Sequence, residues 1–176
     1  MQLHIKRQAG ATLIEIIMVV ALIAIITIGA LTYYNSASES SKVQEAVGGL
    51  TGLSAVIRNQ FQSQGDYQGL TEALVFRSTN VPVNMKSTVN TDQLRHPWSQ
   101  TAAAVLVAPA ASPYASFNIT FAELPRGACV EITSKVYKSF TSMTVNGTAV
   151  TPTTGAATAS LSCTNTNTNV LVMTQS

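Results

Sequence analysis

The clearest hydrophobic pattern in the chain is an unbroken apolar run from Ile16 to Leu31, in which Thr27 is the only faintly polar side chain. With its flanking residues the run covers residues 11–32. A helix of that length extends about 33 Å at about 1.5 Å per residue, and the hydrocarbon core of a membrane is about 30 Å thick. The pattern therefore predicts a membrane-length helix over residues 11–32.

A short basic segment, residues 1–10, precedes this helix and places Lys6 and Arg7 close to its start. Positive charge on this side predicts a cytoplasmic N-terminus and a body exported across the membrane. An ordinary secretory signal fits less well, because Glu15 would interrupt the apolar core that such a signal needs. No Cys comes directly after the apolar run to accept a lipid.

Glu15 is the one carboxylate within residues 11–32, and it lies about one turn after the start of this predicted helix. A carboxylate at the centre of a spanning helix costs about 2.5–3.5 kcal/mol, so such a residue usually has a partner or a function. In one interpretation its side chain extends towards the lipid headgroups. In the other, the chain is cut after Gly10, and Glu15 pairs with the free amine of Ala11 in a neighbouring subunit, which sets the helix register.

A second pattern indicates that the helix continues beyond the apolar run. Hydrophobic side chains recur at three- and four-residue intervals, which places them on one face of a helix. They are Val43, Val47, Leu50, Leu53, Ile57 and Phe61. We therefore expect an amphipathic continuation over residues 33–61. Gly48, Gly49 and Gly52 each weaken a helix by about 1 kcal/mol relative to Ala, so either a sheet packs closely against this face or the helix breaks here.

The remaining residues, 62–176, carry short patterns typical of a mixed domain. Alternating apolar residues predict strands, and Asn146-Gly147 between β-compatible residues predicts a hairpin. We expect two helices, one capped by Thr71 and running through Leu74, and one that presents Cys129, Ile132, Val136 and Phe140 on one face. Besides the hairpin, we expect strands at 103–108, 117–121 and 170–173. Loops are expected at 64–69, 151–159 and 165–168, and the last two should be exposed. These elements predict an α+β fold in which a long helix packs against an antiparallel sheet.

The composition fits one exported domain on a helical stalk. Charged residues make up 10% of the 176 residues, far below the roughly 25% of ordinary soluble domains. The net charge is +2, and Lys6 and Arg7 in the basic segment account for that excess. No basic stripe or cluster interleaved with aromatic residues is present, so nothing indicates nucleic-acid binding.

Two cysteines, Cys129 and Cys163, lie in the predicted exported part. In an oxidising compartment such a pair is expected to form a disulfide, and two buried free thiols are the alternative. In the chain-entropy model a bridge that closes a loop of this size contributes about 3–4 kcal/mol. The spacing does not fit a CxxC redox pair, and a zinc site would need histidines that are missing.

The inventory of reactive side chains argues against an enzyme. The two histidines are His4, in the basic segment, and His96, which precedes a proline and is interpreted as a turn residue. The chain has no Gly-x-Ser-x-Gly motif and no phosphate-binding loop. We therefore expect no catalytic residues, no metal site and no cofactor.

The basic segment ending in Gly10, followed by Ala11-Thr12-Leu13-Ile14-Glu15 and an apolar helix, resembles the processing and assembly signature of type IV pilins. The resemblance implies that a prepilin peptidase cuts between Gly10 and Ala11 and methylates the new N-terminus at Ala11. It also implies that Glu15 is the carboxylate needed for filament assembly. The family usually carries Phe, Met or Leu where this chain has Ala11.

Two further motifs resemble the type IVb subgroup, particularly the major subunits of conjugative thin pili and related enteric pili. They are Val81-Pro82-Val83-Asn84-Met85 and His96-Pro97-Trp98-Ser99-Gln100, and relatives more often have Asn-Pro-Trp-Gly-Gly in place of the second. By this resemblance residues 1–10 are the leader, 11–32 the hydrophobic membrane and filament-core helix, 33–61 its amphipathic continuation, and 62–176 the globular domain.

The implied function is that of a major pilin, which waits in the bacterial inner membrane with its body in the periplasm and then enters an extracellular filament of identical subunits. Such a filament is expected to serve adhesion, aggregation or contact with a recipient cell in conjugation. The implied partners are the prepilin peptidase, an assembly ATPase, a platform protein and an outer-membrane secretin. Within residues 151–169, the neutral Thr- and Asn-rich loops are expected to form the outer face of the filament and to contact other pili or a receptor. A minor pilin, a pseudopilin of type II secretion and a membrane-anchored periplasmic binding module are the alternatives.

Overall fold

The structure is a computed structural model that describes residues 12–151 and 153–176. The predicted leader, residues 1–10, lies outside the described residues, as do Ala11 and Pro152. The chain divides into two compact units, residues up to Glu39 and residues Ser40–Ser176.

One helix, α1, runs without interruption from Leu13 to Phe61 and contributes to both units. The prediction that the apolar helix continues to Phe61 is therefore confirmed. In the first unit the large apolar side chains of α1 are all exposed, with exposed fractions between 50% and 78% from Leu13 to Leu31. The helix is long and apolar enough to cross a membrane by its length and composition.

The second unit contains a five-stranded antiparallel sheet with the order β1-β2-β5-β3-β4. Its strands are β1 (Val105–Pro109), β2 (Phe117–Leu124), β3 (Ser142–Val145), β4 (Thr148–Val150) and β5 (Asn169–Gln175). Phe117, Ile119 and Phe121 are buried on one face of β2, as their alternation predicts. The C-terminal strand β5 occupies the centre of the sheet, so both of its edges are paired.

The hairpin between β3 and β4 forms at Asn146-Gly147, as predicted. Both residues have positive φ angles, 49° and 82°, which is the backbone conformation of the two-residue turns whose twist matches that of the flanking strands. Asn and Gly adopt this conformation at low cost, whereas a β-branched residue would be strained. This turn therefore fixes the register in which Val145 pairs with Thr148.

Three shorter α-helices and one 3₁₀ turn complete the described part of the chain: α2 (Glu72–Arg77), the 3₁₀ turn Val83–Met85, α3 (Arg126–Val136) and α4 (Gly155–Ser162). Thr71 caps α2, because its side chain accepts a hydrogen bond from the backbone N–H of Leu74 at 3.3 Å. The predicted exposed loop over 151–159 is wrong from residue 155 onwards, where α4 begins.

A single hydrophobic cluster fills the second unit. It joins the buried face of α1 to the inner face of the sheet and to α3. Leu50, Leu53 and Ile57 of α1 are completely buried in it, which confirms the face predicted from their spacing. The predicted α+β fold, a long helix packed on an antiparallel sheet, is confirmed.

Gly49 and Gly52 of α1 lie where another segment packs closely against the helix, and the helix does not break at its glycines. A Cβ atom at Gly49 would contact the Sδ atom of Met85 and lie 2.7 Å from its Cγ atom, and a Cβ atom at Gly52 would lie 2.8 Å from the Cγ atom of Pro82. The element that packs here is therefore the Val81–Met85 segment and not the sheet, so that part of the prediction is wrong. Apart from its two chain neighbours and the backbone of α1 itself, no described atom lies within 4 Å of a Cβ atom added at Gly48.

The contrast between Gly48 and Gly49 gives a matched pair of substitutions. We expect Gly48→Ala to raise the free energy of unfolding by about 0.5–1 kcal/mol, because Ala favours the helix and meets open space. Gly49→Ala should lower it by about 1–3 kcal/mol, because Met85 is completely buried and cannot move aside freely. Urea unfolding of the full chain in detergent measures both values, and equal effects would contradict the packing argument.

Candidate functional site

The predicted assembly carboxylate, Glu15, lies in the first turn of α1. Its backbone N–H donates to the carbonyl of Thr12 at 3.0 Å, so the helix is already hydrogen-bonded at this residue. The apolar side chains around it are open to their surroundings, with Ile14 and Ile16 exposed by 64% and 52%. Gly10 and Ala11, the predicted cleavage and methylation residues, lie outside the described part of the chain.

The hydroxyl groups within and next to the apolar run are satisfied inside the helix itself. Thr27 donates to the carbonyl of Ile23 at 2.7 Å, and Thr32 donates to the carbonyl of Ile28 at 2.9 Å. Both hydroxyl groups therefore keep a hydrogen bond when the helix lies in an apolar environment. Glu15 is left as the charged group of this segment, because no other residue from Leu13 to Leu31 is ionisable.

The predicted disulfide between Cys129 and Cys163 is present, and its Cα atoms are 6.0 Å apart. Cys129 lies on the buried face of α3 and Cys163 directly follows α4, so the bridge ties these two helices together. The alternative of two free thiols is wrong. A bridge between residues 34 positions apart restrains the unfolded chain by about 4 kcal/mol in the chain-entropy model.

A buried asparagine at the start of β5, Asn169, organises the segment that follows the disulfide. Its Nδ2 group donates to the carbonyls of Leu124, Thr164 and Thr166 at 2.9–3.1 Å. Its Oδ1 atom accepts from the backbone N–H of Thr164 at 2.7 Å and from Nδ2 of Asn146 at 2.9 Å. The side chain thereby connects β2, the hairpin turn and the 164–168 loop. No local pattern in the sequence singles out this residue.

His96 is completely buried, and the hydrogen bonds of its ring stabilise a turn, in agreement with its interpretation as a turn residue. Its Nε2–H group donates to the carbonyl of Ala122 at 2.7 Å, while Nδ1 accepts from the backbone N–H groups of Trp98 and Ser99 at 3.2 Å each. These contacts require the neutral ring. Burial lowers the pKa of His96, although the Ala122 carbonyl and the nearby Glu123 carboxylate oppose that shift.

This histidine should make stability depend on pH. As pH falls below about 6.5, the unfolded chain takes up a proton at His96 while the folded chain does not, so stability falls until the lowered pKa of the folded state is reached. The free energy of unfolding, measured with urea, should therefore be lower at pH 5.5 than at pH 7.5 for the natural chain. The decrease should be smaller for His96→Asn. Equal losses in the two chains would rule out the role of this histidine.

The described residues offer little for metal or acid–base chemistry. Within residues 12–151 and 153–176 no group of three or more His, Cys, Asp or Glu side chains is placed to hold a metal ion.

The exposed ion pair between Arg77 and Asp92, whose Nη2 and Oδ2 atoms are 2.7 Å apart, lowers the pKa of Asp92 and contributes only modestly to stability.

A family model decides between the classes of protein that share such a fold. The model of the Bundlin family matches residues 35–171, which include the amphipathic part of α1 and nearly all of the second unit. The chain belongs to the Bundlin family. This membership confirms the resemblance to type IV pilins, which are structural subunits and not enzymes.

Two curated relatives of the chain are named as subunits of one kind of filament. The chain is 32% identical over 128 residues to the major structural subunit of bundle-forming pilus from Escherichia coli O127:H6 (strain E2348/69 / EPEC) and to that from Escherichia coli O111:H-. Each match covers 72% of this chain and 64% of the relative. The chain therefore spans less than two thirds of the length of these relatives.

Two solved structures with a similar fold are type IV pilins. The crystal structure of TcpA, a type IV pilin from Vibrio cholerae El Tor biotype, matches with a TM-score of 0.57 at 15% identity, covering 77% of this chain and 99% of that one. The type IVb pilin from Salmonella typhi matches with a TM-score of 0.55 at 21% identity, covering 74% and 97%. These likenesses confirm the fold of this Bundlin-family chain.

Proposed function

We propose that the chain is the major subunit of a type IVb pilus, a filament built from many copies of itself. The observation that carries this proposal is α1, whose first part is an apolar helix with every large side chain exposed from Leu13 to Leu31. So much exposed apolar surface needs either lipid or other protein chains around it. Membership of the Bundlin family and the names of its curated relatives support the filament.

The same helix would serve before and after assembly. As a prepilin the chain lies in the bacterial inner membrane, with residues 11–32 in lipid and the globular part in the periplasm. On entry into the filament these residues pass from lipid to neighbouring helices, so the apolar surface is never transferred to water. By resemblance, a prepilin peptidase, an assembly ATPase, a platform protein and a secretin carry out the steps from membrane to extracellular filament.

The deciding experiment is the intact mass and N-terminal sequence of protein sheared from cells of the native host. We expect a chain that starts at Ala11, carries one added methyl group, and lacks the two hydrogens lost in the Cys129–Cys163 bridge. Abundance in the sheared fraction separates a major pilin from a minor pilin or a pseudopilin. A chain that starts at Met1, or that is absent from the sheared fraction, would contradict the proposal and favour a membrane-anchored binding module or a pseudopilin.

A further inference from the structure

The turn between β3 and β4 contains the single Asn-Gly pair of the sequence, Asn146-Gly147. Asn is chemically labile, because the backbone nitrogen of the next residue can attack its side-chain carbonyl carbon. Glycine in the next position makes this attack easiest, since it has no Cβ atom to hinder it and its backbone rotates freely. The residue pair that the hairpin requires is therefore also the pair most prone to lose its side-chain amide.

The loss of this amide, deamidation, uses water and no other reagent. The Gly147 nitrogen forms a bond to Cγ of Asn146 and gives up its proton, and Nδ2 leaves as ammonia, so that a five-membered succinimide ring closes. Water then opens the ring. Cleavage of the new bond leaves Asp at position 146, and cleavage of the original peptide bond leaves isoaspartate, in which the main chain runs through Cβ and Cγ. In sum the chain gains one water and loses one ammonia.

The backbone of the folded turn keeps the reacting atoms on opposite sides. Asn146 and Gly147 have φ angles of 49° and 82°, and positive values at both positions define a type I′ turn, whose first residue has a ψ angle of about +30°. In this left-handed conformation Cβ lies beside the carbonyl oxygen of its own residue. Cβ therefore points away from the Gly147 nitrogen, which is bonded to the same carbonyl carbon. The succinimide ring needs both atoms on one side, so it cannot close while the turn is intact.

Three hydrogen bonds also hold the side-chain amide of Asn146 against a neighbouring segment. Its Nδ2 group donates to the carbonyl of Ser162 at 2.8 Å and to Oδ1 of Asn169 at 2.9 Å. Its Oδ1 atom accepts from the backbone N–H of Val170 at 2.8 Å. These partners all lie outside the hairpin. Attack at Cγ would convert the planar amide into a tetrahedral group and break these bonds, which raises the barrier further.

We propose that Asn146 is a deamidation site that is closed in the folded chain and reacts only when the β3–β4 turn unfolds. The folded turn prevents the reaction twice, through its backbone conformation and through the contacts of the amide. The open chain keeps neither restraint. The rate in the folded chain is then the rate in the unfolded chain multiplied by the fraction of time for which the turn is open.

Neither product fits the closed turn. In the Asp product a carboxylate oxygen replaces Nδ2 and faces two other acceptors, the carbonyl of Ser162 and Oδ1 of Asn169. In the isoaspartate product an extra main-chain carbon lengthens the two-residue turn, so the register in which Val145 pairs with Thr148 is lost. An opening that leads to reaction is therefore recorded permanently in the chain.

The test follows deamidation over time in the full, disulfide-bonded chain in detergent, with and without urea. Lys138 is the last Lys or Arg, so trypsin releases residues 139–176 as one peptide once the disulfide is reduced, and this peptide contains no Asp, Glu, Lys, Arg or His. The new carboxylate is then separated by ion exchange and located by fragmentation. At equal pH and temperature the folded chain should react at least about a hundredfold more slowly than the urea-unfolded chain. Equal rates would overturn the inference.

A pair of variants separates opening of the turn from a general loss of stability. Asn169→Ala removes one acceptor of the Asn146 amide, so the folded variant should react at least about tenfold faster than the natural chain. Gly49→Ala is the control, because it disturbs the packing of α1 against Met85 elsewhere in the fold, and its folded rate should remain that of the natural chain.

In urea all three chains should react at the same rate, since the sequence next to Asn146 is unchanged in both variants. Equal acceleration by the two variants in the folded state, or none by Asn169→Ala, would refute the role of the closed turn. The comparison of the natural chain with and without urea needs no variant, so it decides the inference even if Asn169→Ala does not fold.

Discussion

Cells whose pilin carries Glu15→Ala are expected to display about a hundredfold fewer filaments than cells with the natural chain. In the proposed filament the Glu15 carboxylate neutralises the amine of Ala11 in a neighbouring subunit. Without the carboxylate that amine would enter an apolar environment unpaired, and loss of one partner of a buried ion pair costs about 3–5 kcal/mol. Each 1.4 kcal/mol is about a tenfold change in an equilibrium.

The measurement is the amount of pilin in the sheared fraction relative to the amount in the membrane fraction. The Glu15→Ala chain should accumulate in the membrane, since removal of a carboxylate from an apolar helix does not weaken insertion. Glu131→Ala is the control, because Glu131 is an exposed helical carboxylate whose nearest partner atom, the Nζ of Lys135, is 3.4 Å away. Such a surface pair contributes little, so filament numbers should stay normal. Normal numbers for Glu15→Ala would refute the pairing.

Features with a local pattern were predictable from the sequence. The spacing of Leu50, Leu53 and Ile57 identified the buried face of α1, because a helix repeats every 3.6 residues whatever packs against it. Asn146-Gly147 identified the hairpin for a similar reason, since the turn needs two residues that tolerate positive φ angles. The disulfide required no geometry, because the chain contains only two cysteines.

Features that depend on distant residues were not predictable. Gly49 signalled close packing, but its partner Met85 belongs to another segment, so the sheet was wrongly chosen as the packing element. Helix α4 was missed because its Thr-, Ala- and Gly-rich composition is also typical of loops, and its stability comes from the disulfide and from Tyr137. For Glu15 the sequence gives the residue but no partner, and Ala11 lies outside the described residues.

Asn169 is the clearest example of a long-range role, because Leu124 and Asn146, two of its partners, lie 45 and 23 positions away in the chain. We expect Asn169→Asp to lower the free energy of unfolding by about 3–5 kcal/mol. The substitution keeps the shape of the side chain but replaces an NH₂ donor with an oxygen. The carbonyls of Leu124, Thr164 and Thr166 would then face a buried negative charge in place of a donor.

The pH dependence of this variant distinguishes lost hydrogen bonds from a general packing defect. Burial beside three carbonyls raises the pKa of the new carboxyl above the value of about 3.9 in the unfolded chain. Between these two pKa values the folded state binds more protons, so the variant gains stability as pH falls. Asn169→Ala, which has no titratable group, should be destabilised without this gain.

Urea unfolding of the full chain in detergent, followed by the fluorescence of its single tryptophan, Trp98, gives the required free energies at pH 7 and pH 5. Each value should be taken as the difference from the natural chain at the same pH, which removes the separate contribution of His96. A deficit for Asn169→Asp that shrinks at pH 5, beside a constant deficit for Asn169→Ala, would establish the donor role of Nδ2. Equal deficits at both pH values in the two variants would show that Asn169 merely fills space, and the network around it would then contribute little to the stability of the 164–168 loop.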